Sequence, residues 1–404
     1  MNLPNTETLV ARLQEATRLT QTGRLQEATA MIQQALQGRS NLNEVTAAPD
    51  QAQTSRPRQP FTAHRNVSGL GDLLRGKLSG LNGLKTGLNM GLATPAEALP
   101  EGATFNSGTF ANSSGSRDYK LYIPSGYNGQ CLPLVVMLHG CTQNPDDFAA
   151  GTGMNTLAES QPCLVLYPAQ TGSANPSKCW NWFKPGDQQR ESGEPAIIAG
   201  MTRQIVDEYK LDEQRVYVAG LSAGGAMATT LAMTHPDLYA AVGVHSGLPH
   251  GAAHDIPSAL AAMRGDAAPL ASRSNKRAGA GVTSSMGQKI PAIIFHGDRD
   301  TTVYPGNGDR VAAQYSGFIG SGNVSKNAID IKSEHGKVPN GHAYTRTTHH
   351  DASGQAILEQ WSIHGAAHAW AGGTSQGSYT DPKGPDASGE MLRFFLTHSK
   401  GVLS

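Results

Sequence analysis

Ser222 lies in the stretch "VYVAGLSAGGAMATTLA", Val216 to Ala232, inside a G-x-S-x-G pattern running from Gly220 to Gly224. That spacing presents one hydroxyl at a sharp turn between an apolar strand-like run and a helix-like run, and the glycines leave room for a tight backbone. The pattern is loose in a chain with 47 Gly, so its flanks carry the reading. Arg215 to Ala219 reads as a short buried strand, and Gly225 to Thr234 as a helix stopped before Pro236. A serine hydroxyl is a weak nucleophile until a base accepts its proton and an acid orients the base. Downstream, "FHGDRDTTVYP" closes a strand with Asp298 and Asp300, and "WSIHGAAHAWAGG" closes another with His364 and His368. The order Ser, Asp, His is the one this strand-turn-helix setting uses. Within each pair the residue further past the strand end can bend back toward the serine, which selects Asp300 and His368. Asp298 reads as a turn former and His364 as a strand-end histidine. His296, His349 and His350 read as strand-end or hairpin positions.

Acyl transfer develops charge on the carbonyl oxygen, and backbone donors must meet it. The amide of Ala223, next to the nucleophile, is one expected donor. The amide of Cys141, just beyond the "VVMLHG" strand, is the other. Cys141 and Cys179 both follow C-terminal strand ends, whereas Cys131 and Cys163 sit at strand starts on the opposite edge. Cross-pairing would exceed the ~7 Å limit between bridged Cα atoms. If bridges form, Cys141–Cys179 is therefore the first to expect and Cys131–Cys163 the second; four free thiols are the alternative.

The elements that must position these groups alternate along the chain. From residue 102 onward, short apolar runs ("YKLYIP", "LPLVVMLHG", "CLVLYP", "RVYVA", "AAVGVHSG", "PAIIFHGD", "ILEQWSIHG") alternate with helical segments. The helical segments are "DFAAGTGMNTLAES", "EPAIIAGMTRQIVDEYK" and "ASGEMLRFFLTHS". This predicts an α/β fold, with a mostly parallel central sheet and helices on both faces. Sites in such sheets lie at the C-terminal strand ends, where every candidate above falls. Leu248 to Lys289 reads as an insertion that begins as a helix and could cap a groove. Residues 1–38 read as an N-terminal helical hairpin, repeating "LQEAT", that docks on the main domain or on a partner. Residues 39–101 read as a linker and weakly ordered segment, with a Gly- and Leu-rich stretch at 69–93 that could lie on the domain or on a membrane surface. Residues 102–404 form the expected catalytic domain.

Bulk composition removes several function classes. Lys+Arg 32 balances Asp+Glu 32, so nothing suggests a nucleic-acid partner. No apolar run reaches the ~18 residues of a membrane-spanning helix. The N-terminus lacks a basic stretch followed by an apolar one. No C-x-x-C occurs, "HH" beside Asp351 lacks a third spaced ligand, and the proposed chemistry calls for no metal or cofactor.

Taken together, "LHGCTQNPDDFAAGTGMNTLAE", "CWNWF", "GLSAGGAMA", "HGDRDTTVYPGNG" and "HGAAHAWAGG" resemble the polyhydroxybutyrate depolymerase family of α/β-hydrolase esterases, which also takes in feruloyl and acetylxylan esterases. The likeness runs from about residue 105 to the C-terminus. It implies a serine esterase whose triad is Ser222, Asp300 and His368, whose oxyanion donors are the amides of Cys141 and Ala223, and whose Cys141 is disulfide-bonded. Gln143, Trp182 and Trp370, in motifs bordering the site, are the expected substrate contacts, while Trp180 reads equally well as core. The implied substrate is poly- or oligo(3-hydroxybutyrate) or a smaller ester. Feruloyl or acetylxylan esterase is the alternative, and a catalytically silent binding protein is the non-enzyme alternative. The family implies an extracellular or periplasmic setting; the absent leader pattern makes the cytoplasm the alternative. Without a following polymer-binding domain, short or amorphous chains are the expected substrates.

Overall fold

The computed structural model describes residues 99–266, 290–319 and 330–400. The N-terminal hairpin, the linker apart from its last residues, and the latter part of the Leu248–Lys289 insertion lie outside the described residues.

A ten-stranded sheet forms the centre, in the order β1-β2-β4-β3-β5-β6-β7-β10-β9-β8. Its parallel heart consists of β3 (Leu134–Leu138), β4 (Leu164–Pro168), β5 (Val216–Leu221), β6 (Ala241–His245), β7 (Ala292–Gly297) and β10 (Ala356–His364). All residues of β3 to β7 are buried. Such continuous apolar runs suit strands covered on both faces. One edge is extended by the antiparallel strands β1 (Thr104–Asn112) and β2 (Gly115–Ile123). At the other edge, β8 (Asp330–Lys337) and β9 (Ala343–His350) add an antiparallel hairpin outside β10. A short parallel pair, β11 (Trp370–Ala371) and β12 (Thr380–Asp381), lies apart from the sheet.

Strand residues alternate between two apolar cores, as a period of two requires. Leu134, Val136 and Leu138 face one core, together with residues of α3 (Gly193–Glu208), α4 (Ala223–Thr234), α5 (Ile256–Met263) and α6 (Gly306–Ile319). Val135 and Met137 face the other, which holds residues of α1 (Pro145–Thr152), α2 (Met154–Ser160) and α7 (Ala387–Leu396). Helices therefore cover both faces, as the alternating pattern predicts. The stretch "DFAAGTGMNTLAES" is divided rather than continuous: Gly153, at φ 64°, ends α1 and begins α2. The insertion does begin as a helix, α5, capped by Asp255, which accepts the Ser258 amide.

Candidate active site

Ser222 sits between β5 and α4 at φ 58°, ψ −119°, a backbone that costs a non-glycine residue free energy and persists only where its surroundings enforce it. Two contacts enforce it. The Ser222 N–H donates to His245 O at 2.9 Å, and Ser222 O accepts from Ala226 N at 2.9 Å, starting α4. The neighbouring glycines are required by close approach. A Cβ on Gly224 would lie 2.0 Å from Leu138 O, and one on Gly220 would lie 2.4 Å from Gly224 C. β5, the turn and α4 therefore pack directly against the end of β3. Ser222 is 8% exposed, and α4 starts at Ala223, whose N–H is among those a helix cannot satisfy internally.

Asp300 and His368 meet beyond β7 and β10. His368 Nδ1 lies 2.6 Å from Asp300 Oδ2, with the carboxylate side chain fully buried and the imidazole 11% exposed. A carboxylate has no proton to give, so Nδ1–H is the donor and Nε2 carries the lone pair a general base needs. The other oxygen, Oδ1, accepts the amides of Thr302 and Val303, each at 2.8 Å. A second imidazole approaches Oδ2: His296 Nε2 is 3.4 Å away while bonded to Val303 O at 2.9 Å. Burial alone would raise the Asp300 pKa, but the bonds from His296, His368 and the Val303 amide outweigh it and hold the carboxyl far below the usual range. Gly297 lets the two loops touch, since a Cβ there would lie 2.4 Å from Ala366 O. Arg299 N–H donates to that same carbonyl at 3.0 Å.

Asp298 and His364 form their own pair, at 3.0 Å. Both side chains are well exposed, at 39% and 44%, and His364 Nε2 is engaged by Thr345 Oγ1 at 2.9 Å. The described residues thus hold one buried Asp–His pair and one exposed pair.

Cys141 and Cys179 are bridged, while Cys131 and Cys163 are free. The bridge closes the loop after β3 against the loop after β4. Around it, Gly140 N–H donates to Gln143 Oε1 at 2.9 Å and Thr142 N–H to Ser177 O at 2.7 Å. A Cβ on Gly140 would lie 3.7 Å from Ser222 Cβ, so this loop borders Ser222. The Cys141 amide lies between two N–H groups that are already committed.

Three expected substrate contacts have other employment. Gln143 is 2% exposed and donates to Asp147 Oδ2 at 2.9 Å and Ser378 O at 3.0 Å. Its amide ties the β3 loop to the segment before β12 and is spent. Trp370 is 1% exposed; its indole N–H donates to Ser388 Oγ at 3.0 Å and its ring stacks on His245. Trp182 is buried in the core beside α3, edge-on to Phe183. All three side chains are buried rather than open to a groove. Trp180 is fully buried, in line with its core reading.

Other contributors lie outside the expected site residues. His245 accepts the Ala371 N–H on Nε2 at 3.0 Å and bonds Ser246 Oγ through Nδ1. Its carbonyl holds the Ser222 N–H, so one residue links the Ser222 turn to the strand after His368. Burial, with His296 and His368 nearby, lowers its pKa to about 3, keeping it neutral. His139 bonds Gly140 O at 2.7 Å and accepts Gln170 N–H at 3.1 Å; burial lowers its pKa to about 4. Glu194, buried, receives Arg117, Gln170 and both nitrogens of Asn181 and so anchors the Cys179 loop. Among the described residues no cluster of His, Cys, Asp or Glu could hold a metal ion, and no helix is long and apolar enough to cross a membrane.

The sheet order, the serine elbow on β5 and the acid and imidazole beyond β7 and β10 define an α/β-hydrolase. The family described as Esterase PHB depolymerase matches residues 117–334, and the chain belongs to it. Poly(3-hydroxyalkanoate) depolymerase C of Paucimonas lemoignei is 32% identical over 259 residues, 64% of this chain and 60% of that protein. Poly(3-hydroxybutyrate) depolymerase of Ralstonia pickettii is 28% identical, over 62% of this chain and 50% of that protein. A probable acetylxylan esterase A of Aspergillus fumigatus is 29% identical, over 52% and 57%. The chain thus spans between half and three-fifths of the length of these relatives. The solved acetyl xylan esterase from Aspergillus awamori shares the fold, with a TM-score of 0.53 at 22% identity, covering 69% of this chain and 93% of that one.

Proposed function

We propose that the chain is a serine carboxylic ester hydrolase acting on poly- or oligo(3-hydroxyalkanoate) through Ser222, His368 and Asp300. The observation that carries this is the buried 2.6 Å contact between His368 Nδ1 and Asp300 Oδ2, formed on the same sheet edge as a serine in a strained elbow. In the reaction His368 Nε2 takes the Ser222 proton as the oxygen attacks the ester carbonyl. The amides of Ala223 and Cys141 stabilise the oxyanion, and each such donor is worth roughly 3 kcal/mol. His368 then protonates the departing alkoxide, leaving an acyl-enzyme. Water repeats the cycle and frees Ser222, while Asp300 fixes the imidazole tautomer throughout. The depolymerase relatives support a polyester substrate, and the acetylxylan esterase relative supports the second reading, an acetyl ester on a polysaccharide. The Cys141–Cys179 bridge supports an oxidising compartment, extracellular or periplasmic.

A substrate panel on purified protein tests this: 3-hydroxybutyrate oligomers beside acetylated xylan and methyl ferulate, with intact-mass trapping of the acylated serine. Turnover of the oligomers with label on Ser222, and none in Ser222→Ala, is expected. Equal rates for Ser222→Ala and wild type would remove the enzyme assignment.

A further inference from the structure

Tyr379 stands between the β3 loop and the segment following His368, with its side chain in solvent. It is 48% exposed, yet its backbone is held firmly. Trp370 N–H donates to Tyr379 O at 2.7 Å. The preceding Ser378 accepts Gln143 on its carbonyl at 3.0 Å and donates its N–H to Asp147 at 2.8 Å. The phenol reaches Thr142 Oγ1 at 3.3 Å. Both partners have left-handed backbones, φ 66° at Thr142 and φ 52° at Tyr379, which bulky side chains adopt only under constraint. A backbone that accepts this cost to hold an aromatic ring in water is arranged for contact, since tyrosine offers a rigid amphipathic face with few torsions to freeze.

The Thr142 hydroxyl donates to Cys141 O at 2.6 Å, so its single proton is committed. The phenol O–H must then be the donor to Thr142, across the long 3.3 Å contact. That weak bond is easily exchanged for a better acceptor, and it lies beside Cys141, whose amide is the proposed oxyanion donor.

We propose that Tyr379 walls a subsite for the ester chain next to the scissile carbonyl. The ring covers methyl and methylene groups, and the hydroxyl turns from Thr142 to the neighbouring ester carbonyl. This rests on the esterase reading above. The occupant is an oligo(3-hydroxyalkanoate): each repeat brings apolar CH groups and one carbonyl acceptor, matching one ring and one donor. A xylan chain would bring many hydroxyls to a side chain with a single polar atom.

The test compares Tyr379→Ala and Tyr379→Phe with wild type on 4-nitrophenyl acetate, on a 3-hydroxybutyrate trimer and on acetylated xylan. Tyr379→Ala is expected to raise the trimer KM ~10-fold while leaving kcat/KM for the acetate within ~2-fold, and Tyr379→Phe to raise the trimer KM only ~3-fold. Should Tyr379→Ala melt early, Tyr379→Asn repeats the ring deletion with a residue that tolerates the left-handed backbone. Equal losses on both substrates would mean that Tyr379 merely props the β3 loop, and an unchanged trimer KM would mean that the ring touches no substrate; either overturns the proposal. A loss confined to acetylated xylan overturns the occupant. Wild-type protein inert toward every ester overturns the esterase reading itself, a result separable from the others.

Discussion

The Oδ2 oxygen of Asp300 lies 2.6 Å from His368 Nδ1, on a side chain with no solvent exposure. With the bonds described above, that carboxylate is ionised and fully engaged before any substrate arrives. Replacing Asp300 by Asn removes the charge and offers a donor where the imidazole needs an acceptor. In other Ser-His-Asp hydrolases the corresponding change costs ~10⁴ in kcat, and a loss of that order is expected for Asp300→Asn. Because Asp300 is held well below the usual carboxylate range, it stays charged across ordinary assay pH. Steady-state rates from pH 5 to 9 check this; activity that vanishes because Asp300 itself titrates in that range would contradict the assignment.

His296 contacts the same oxygen from the other side, at 3.4 Å, while bonded to Val303 O. On the proposed triad it acts through Asp300, as a positioning residue. His296→Ala should lower kcat ~10-fold with little change in KM, and His296→Gln, which keeps a donor, should recover part of the loss. Paired kcat and KM measurements decide between this and a purely structural role, which would move stability alone.

The cysteines give a direct chemical check. Cys131 is exposed and Cys163 is buried, with burial pushing the Cys163 thiol up to about 12. A thiol reagent should titrate Cys131 in native protein and reach Cys163 only after denaturation, with the bridged pair untouched until reduction. Replacing Cys141 and Cys179 by Ser should cost about 2–4 kcal/mol of stability and lower kcat, because the loop bearing the proposed oxyanion donor is released. Four reactive thiols in unreduced, denatured protein would contradict the bridge.

Acid should destabilise the fold in a defined window. His139 and His235 have pKa values lowered to about 4 and His245 to about 3, from 6.5, burial being the largest cause in each. Below 6.5 the unfolded chain protonates these rings while the folded one does not, so the unfolded state binds more protons and stability falls as pH drops toward 4. Each group contributes at most about 1.4 kcal/mol per pH unit. Thermal melts from pH 7 to 4 should show a steepening fall in Tm; a flat profile would mean these rings are protonated in the folded state.

Much of this was legible in sequence because chemistry and topology leave local marks. The buried parallel strands read as unbroken apolar runs, and the elbow read as glycines about a serine. Asp300 and His368 stand further past their strand ends than Asp298 and His364, and that difference is readable from the letters alone. The rest was hidden for physical reasons. Gln143 and Trp370 sit in motifs at the rim, but only coordinates reveal that an amide has spent its donors on Asp147 and Ser378, or that an indole is covered. His245 and Glu194 act through contacts with residues distant in sequence, Ala371 for one and Arg117 for the other, so no spacing betrays them. Tyr379 matters through a backbone angle that a single letter does not encode.

Asp300 follows β7 and His368 follows β10, β7's immediate parallel neighbour, although α6 and the β8–β9 hairpin lie between them in the chain. Departure and arrival points are therefore pinned side by side, whatever the detour does. The outer strand β8, exposed along nearly all its length, can be decorated without re-registering Asp300 against His368, which makes that margin a natural grafting point for new modules.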